Sequence, residues 1–261
     1  MDRNHQKYHP DLLSNRNRGV LCPHPTASTH NYSLNTDTKQ CIIKKMLPIL
    51  WTSSMMIDRD ELARHKVMPH LQTICDQKGI KYPPSRLLLR AFKATKQLEL
   101  WASNSPTNKL KLLKSYKILA ASGKLGPKRK EGDRQVPEGV YFINRFNPKS
   151  QFHLSLGINY PNASDTVLAD KQHPGGDIFI HGSKVSIGCL AMGDEAIEEI
   201  YTIAKACPNK VVVFILPQNK PAPNTELWKQ LDSINQQFER TGFFPKVTVD
   251  SLGNYQISTI K

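Results

Sequence analysis

Cysteine is scarce in this chain of 261 residues: Cys22, Cys41, Cys75, Cys189 and Cys207 make an odd set of five with no C-x-x-C pair. That excludes a disulfide framework, and no spacing among them reads as a zinc site. Long apolar runs are missing as well. The longest, Met46 to Ile57, is interrupted by Thr52, Ser53 and Ser54 and falls short of the roughly 20 residues that cross a bilayer as a helix. An aromatic-interleaved RNA-binding signature and paired Cys/His fingers are also absent, which argues against a nucleic-acid partner. Acidic residues are few, 22 against 36 Lys and Arg, and the formal net charge of +14 favours an anionic partner such as cell-wall polymer or anionic lipid. What remains, 39% hydrophobic and 22% charged residues, is the composition of a soluble globular protein and not of a collagen-like or multi-span membrane chain.

The basicity is concentrated. Between Arg86 and Arg134 stand thirteen Lys or Arg against Glu99, Glu131 and Asp133, which is either a solvated face or a surface for anionic wall polymer. In the second reading Lys124, Lys128, Arg129 and Lys130 border the functional site. Residues 1–45 are polar, rich in Asn and His and without periodicity, and read as a disordered leader or as an over-extended start with Met46 as initiator. Met46 to Ile57 follows Lys44 and Lys45 as a signal-peptide core would, yet it begins far into the chain and lacks a small-x-small cleavage site, so it does not make a convincing export signal.

From Arg86 onward strand signals recur. Arg86 to Ala102 carries two apolar stretches about the polar break Lys93 to Lys96 and predicts a hairpin; Leu112 to Ala120, Gly139 to Ile143, Phe152 to Ile158 and Asp177 to His181 predict further strands. Ser122 to Glu138, with three glycines, two prolines and a basic cluster, reads as a mobile lid. The period then changes. Asp194 predicts the N-cap of a helix aligning Ile197, Ile200, Tyr201 and Ala204. Val211 to Leu216 predicts a buried strand, Asn224 or Thr225 caps a second helix with Leu227, Leu231, Ile234 and Phe238 on one face, and a hairpin about Gly253-Asn254 ends the chain. A weaker helix over Glu61 to Asp76 should kink or end at Pro69. The fold class expected is α+β, mostly β, with a few amphipathic helices.

Chemistry concentrates in Ile178-Phe-Ile-His-Gly-Ser-Lys-Val-Ser-Ile-Gly-Cys-Leu-Ala-Met192. A strand delivers His181 to a turn, and Cys189 follows within one loop. A free thiol ionises near pH 8.5 and is a weak nucleophile at neutral pH unless an imidazole takes its proton. Gly188, with no side chain, lets the backbone turn tightly before the sulfur and aim N–H groups at an acyl oxygen. On residue chemistry alone the bland alternative stays open, since cysteine is commonly a small buried hydrophobe.

His181-Gly182 followed by Ser186-Ile-Gly-Cys189 resembles the signature of the L,D-transpeptidase catalytic domain (YkuD-type) family, as do Ser122-Gly-Lys124 and Pro137-Glu-Gly-Val-Tyr-Phe-Ile143. Phe146-Asn-Pro-x-Ser-x-Phe-His-Leu-Ser-Leu156 and Tyr160-Pro-Asn162 resemble its YafK-like branch. The resemblance implies an L,D-transpeptidase-like β-sandwich core over residues 86–261, after a helical or linker segment at 46–85. It implies that Cys189 attacks a carbonyl of a diaminopimelate-containing peptidoglycan stem peptide, with His181 as general base, Gly182 orienting the imidazole through its carbonyl, and the Gly188 and Cys189 N–H groups forming the oxyanion site. Ser186 would shape the turn or contact substrate, and His153 and His173 are secondary candidates for substrate contact. No metal or organic cofactor is implied, and a cell-envelope or periplasmic setting is. The sequence departs from the family pattern at Ile187, where a His is usual, at Ala191, where many members carry Arg or Asn, and in its short His-to-Cys spacing. Hydrolysis of a wall-linked peptide bond by the same cysteine, or a catalytically silent wall-binding module, are the alternatives.

Overall fold

The computed structural model describes residues 58–218 and 225–258; the leader, the Met46 to Ile57 run, Cys22, Cys41 and Asn224 lie outside these. Helix α1 (Arg59–Gln77) precedes strands β1 (Arg86–Phe92), β2 (Gln97–Ser103), β3 (Lys111–Lys117), β4 (Ala120–Ala121), β5 (Gly139–Asn147) and β6 (Ser155–Ile158). The short α2 (Ala163–Leu168), β7 (Phe179–His181), β8 (Leu190–Ala191), α3 (Asp194–Ala206), β9 (Val212–Leu216), α4 (Glu226–Thr241), β10 (Lys246–Val249) and β11 (Tyr255–Ser258) follow. Nine strands form one sheet in the order β3-β2-β1-β9-β5-β6-β7-β8-β4, and β10-β11 form a separate hairpin. The mostly-β expectation holds, with the two layers of a sandwich built from one curled sheet. Strand β5 joins its halves: Gly139 to Phe142 pair with β9, whereas Ile143 to Asn147 pair with β6 across an irregularity at Ile143/Arg145. The far edges, β3 and β4, are consecutive in the chain; Ile118 N–H donates to Lys96 O and Leu119 N–H to Ala191 O, so the backbone itself crosses from one edge to the other.

Strand β1 shows why its sequence runs apolar without alternating. Leu87, Leu89 and Ala91 enter a core shared with α1 and α3, while Leu88 and Phe92 face the opposite way, toward Leu231, Ile234 and Phe238 of α4. A strand covered on both faces has no solvent side to keep polar. Arg90, on the α4 side, is 3% exposed. It bonds Glu99 (2.8 Å), Asn235 (3.0 Å) and Glu239, with its guanidinium about 5 Å from the rings of Phe92, Trp101 and Phe238.

Two helix expectations need correction. Helix α1 runs through Pro69 to Gln77: its stripe Ala63, Val67, Leu71 and Cys75 is buried in the main core, and that packing outweighs the roughly 3 kcal/mol penalty of an internal proline. Because this stripe shares the core of the sheet, residue 86 marks no break in packing. The N-cap of α3 is Gly193 and not Asp194; the Asp194 carboxylate instead accepts Ser183 N–H at 2.7 Å. Thr225 does cap α4, accepting Trp228 N–H.

The loop read as a mobile lid is tied down. Lys93, at the β1–β2 turn, is buried with Glu138 (2.9 Å) and donates to Gly126 O and Val136 O, both at 2.8 Å. Glu138 also accepts Gly126 N–H and Trp228 Nε1–H, each at 2.7 Å. Asp133 accepts the N–H groups of Arg129, Lys130 and Gln135 and pairs with Lys128. Lys128 is thereby buried and Arg129 reaches Asp165; of the four cations expected to meet wall polymer, Lys124 and Lys130 stay exposed. Removing one partner of a buried pair leaves the other charge uncompensated, at about 3–5 kcal/mol. Lys93→Met should therefore lower unfolding free energy by about that much, and Lys93→Met with Glu138→Gln should recover a large part of it, both read by chemical denaturation.

Candidate active site

Strands β7 and β8 run parallel with His181 opposite Ala191 and Ile180 opposite Leu190. Cys189 enters β8 from the turn, and Phe179, two residues before His181, donates its N–H to Cys189 Sγ at 3.4 Å. The parallel pair thus brings the thiol and the imidazole within two residues of each other along adjoining strands, which a loop of eight residues on its own would leave unspecified.

His181 is 2% exposed. Its Nδ1 lies 2.6 Å from Gly182 O; a carbonyl only accepts, so Nδ1 carries the proton and Nε2 keeps a basic lone pair. The Phe152 ring covers the imidazole, centroids 4.7 Å apart. Gly182 has no room for a side chain, since a Cβ would lie 2.6 Å from both Asp194 Oδ1 and Phe152 O. Burial pushes the imidazole below its ordinary value, the Gly182 bond acting the other way. Burial also pushes the Cys189 thiol up, against the Phe179 N–H and the Lys128 charge. Both shifts act in the direction that favours the neutral thiol and the neutral imidazole.

The turn before the sulfur is held by two hydroxyls. Gly188, at φ +90°, donates its N–H to Ser122 Oγ (2.5 Å), and Ser122 Oγ donates to Arg134 O (2.8 Å). Cys189 N–H donates to Ser186 Oγ (3.0 Å), which donates to Cys189 O (2.6 Å). The two amides expected to form an oxyanion site are therefore engaged by serines in this form. His153 lies against Gly182, where an added Cβ would be 3.0 Å from the His153 Cβ, but its Nε2 is 2.9 Å from a Glu198 carboxylate that also holds Lys66 of α1 (2.6 Å). His173 is exposed on a loop whose backbone bonds Asp170 and Glu131. Neither histidine joins the thiol. Sequence reasoning missed Phe152 and the backbone of Phe179, neither of which carries a reactive group, and left Ser122 as part of a motif with no role.

The L,D-transpeptidase catalytic domain (YkuD) family matches residues 89–215. YafK of Escherichia coli (strain K12) is 33% identical over 189 residues, 67% of this chain and 74% of that protein. The chain belongs to this family. Solved structures with similarity include a mutant of Pgp2, a helical cell shape determining protein of Campylobacter jejuni (22% identity, TM-score 0.44); the match covers 65% of this chain and 61% of that one. L,D-transpeptidase 1 of Mycobacterium tuberculosis is 12% identical, covering 50% of this chain and 61% of that one, at a TM-score of 0.30.

Within the L,D-transpeptidase frame two departures take on a structural meaning. Ile187, where a His is usual, is 78% exposed, and Ala191, where Arg or Asn is frequent, is fully buried between His181 and Ala120. Position 191 thus offers no charge to a substrate. Of the other thiols described, Cys75 is buried and pushed up to about 11 by burial, and Cys207 is turned to Ser85 O. Iodoacetamide labelling followed by peptide mass should modify Cys189 before Cys75, which reacts on unfolding. The Cys189 midpoint should fall above the free-thiol value of about 8.5; a midpoint below it would indicate a resting thiolate–imidazolium pair.

Proposed function

We propose that this chain is a peptidoglycan L,D-transpeptidase-like cysteine acyltransferase acting on diaminopimelate-containing stem peptides in the cell envelope. The observation that carries the reading is the His181 Nδ1–Gly182 O bond, because it fixes the tautomer whose Nε2 can take a thiol proton. In the reaction His181 Nε2 accepts the Cys189 proton as Sγ bonds to the peptide carbonyl carbon. The tetrahedral oxyanion collapses, the C–N bond breaks, and His181 returns the proton to the leaving amine. The remaining thioester is resolved by an acceptor amine or by water, either attack regenerating the thiol.

Burial that favours the neutral forms of both groups suits this order of steps, in which the thiol proton leaves as the new bond forms. The oxyanion role of the Gly188 and Cys189 N–H groups requires them to exchange Ser122 and Ser186 for the substrate oxygen. Such an exchange replaces one hydrogen bond by another to a charged acceptor, which is the stronger kind. Hydrolysis is the second reading, favoured by buried Ala191, which gives an acceptor amine no anchor.

Cys189→Ser should abolish the thioester adduct detectable by intact mass with a tetrapeptide muropeptide. His181→Ala should reduce kcat by about a hundredfold to ten-thousandfold with the fold retained. As pH falls, kcat/KM should be lost when His181 becomes protonated, and because its folded pKa is lowered the acid limb should lie below the ordinary imidazole value of about 6.5. With rising concentrations of a D-amino acid, an amine adduct marks transfer; released acid alone at saturating amine marks hydrolysis.

A further inference from the structure

The loop between β5 and β6 closes over the imidazole. The Phe152 ring lies on His181 with centroids 4.7 Å apart, Gly182 N–H donates to Leu154 O at 3.1 Å, and Phe152 O stands 2.6 Å from where a Cβ on Gly182 would be. One loop therefore touches both the ring and the residue whose carbonyl fixes its tautomer. His153, next to Phe152, has a φ of +69°. That is the left-handed region, which a residue with a side chain seldom adopts and which persists only where the surroundings enforce it.

Two helices supply that enforcement. Arg59, the first residue of α1, donates to Ser150 O at 2.8 Å and to His153 O, so one guanidinium ties the backbone before and after Phe152. Glu198 of α3 is 8% exposed and takes Lys66 of α1 on one oxygen (2.6 Å) and His153 Nε2 on the other (2.9 Å). Both tethers end on residues 150–153. Helix α1 lies wholly before the family-matched residues 89–215. A helix that merely covered the core would need its stripe Ala63, Val67, Leu71 and Cys75 but no polar contact with this loop. Arg64 shows the ordinary alternative: its side chain bonds Glu61, His65 and Met68, all within α1.

We propose that α1 acts as a positioning element for His181, holding the β5–β6 loop against the imidazole through Arg59 and through the Lys66–Glu198–His153 bridge. The held loop does two things. It keeps water off the ring, and it keeps the imidazole in the orientation that the Gly182 carbonyl sets. A displacement of about 1 Å at such a group can cost about a hundredfold in rate. The effect on turnover rests on the acyl-transfer reading above; the hold on the imidazole does not.

Two readouts on the full-length protein test the two parts separately: the His181 titration midpoint, followed by NMR with isotopically labelled histidine, and kcat and KM with a tetrapeptide muropeptide. Burial holds the His181 midpoint down, so in Glu198→Ala a loosened loop should let it rise toward the ordinary value of about 6.5. Loss of the Glu198 charge alone would move it the other way, because removing an anion disfavours the imidazolium. Glu198→Gln, whose amide can still accept from Lys66 and donate to His153, should stay near wild type. Arg59 is exposed, so Arg59→Ala spares the fold; its midpoint should rise by more than that of Arg64→Ala, which removes the same charge from the same helix. Glu198→Ala and Arg59→Ala should each lower kcat about ten- to a hundredfold with KM little changed, while Arg64→Ala keeps full turnover. A midpoint that fails to rise in Glu198→Ala, and in Arg59→Ala does not exceed that of Arg64→Ala, overturns the proposal whatever the turnover. Midpoints that rise as expected while no peptide acylates Cys189 in the wild type support the hold on the imidazole and remove the acyl-transfer reading instead.

Discussion

The buried Lys93–Glu138 pair is the contact on which the arrangement around the thiol depends. Lys93 sits at the turn of the β1–β2 hairpin and Glu138 at the end of the long loop before β5, so their 2.9 Å contact closes that loop across the sheet. Each partner is satisfied beyond the other. Lys93 donates to two loop carbonyls and Glu138 accepts from a loop amide and from Trp228 of α4. Burial lowers the Lys93 pKa while Glu138 opposes that shift. A pair this enclosed contributes little net stability compared with apolar packing, yet losing half of it is severe, and that asymmetry makes it a device for specifying one loop conformation.

From that anchor the constraint passes to the chemistry through short polar steps. The loop fixes Ser122 and Arg134, Ser122 fixes the amide of Gly188, and Gly188 precedes the nucleophile. On the other side Asp194 accepts Ser183 N–H and crowds Gly182, whose carbonyl sets the imidazole tautomer. The sulfur and the imidazole are thus each located by a backbone turn, the first held by Ser122 from a distant part of the chain and the second by Asp194 at the start of α3. Desolvation then acts on both reactive groups in the direction of neutrality, raising the thiol and lowering the imidazole.

Much of this was legible in the sequence where the signal was local. The strand-end His181, the Gly188-Cys189 turn and the amphipathic stripe of α4 each follow from spacing within a few residues. What the sequence hid was long-range. Pro69 reads as a kink or end of the helix because propensity is local, whereas the helix continues past it with the stripe Val67, Leu71 and Cys75 buried by elements far away in the chain. Ser122 to Glu138 looked mobile because glycine and proline announce irregular backbone but not its tethering, which Lys93 supplies from the preceding hairpin. The basic run 86–134 looked like a surface because charge can be counted from sequence while pairing cannot; Arg90, Lys93 and Lys128 are all buried.

The same geometry bears on how a thioester here would be shielded from water. Beneath the site His181 is enclosed, its ring under Phe152. The protein also leaves apolar side chains open: Phe152 is 40% exposed, Val185 60% and Ile187 78%. Single exposed apolar residues need no explanation, but Val185 and Ile187 belong to the loop leading to Cys189 and Phe152 lies against His181, so a peptide bound at Cys189 would cover apolar surface. Covering apolar surface is favourable by about 25 cal/mol per Å², so substrate binding and expulsion of water from the sulfur would be one event.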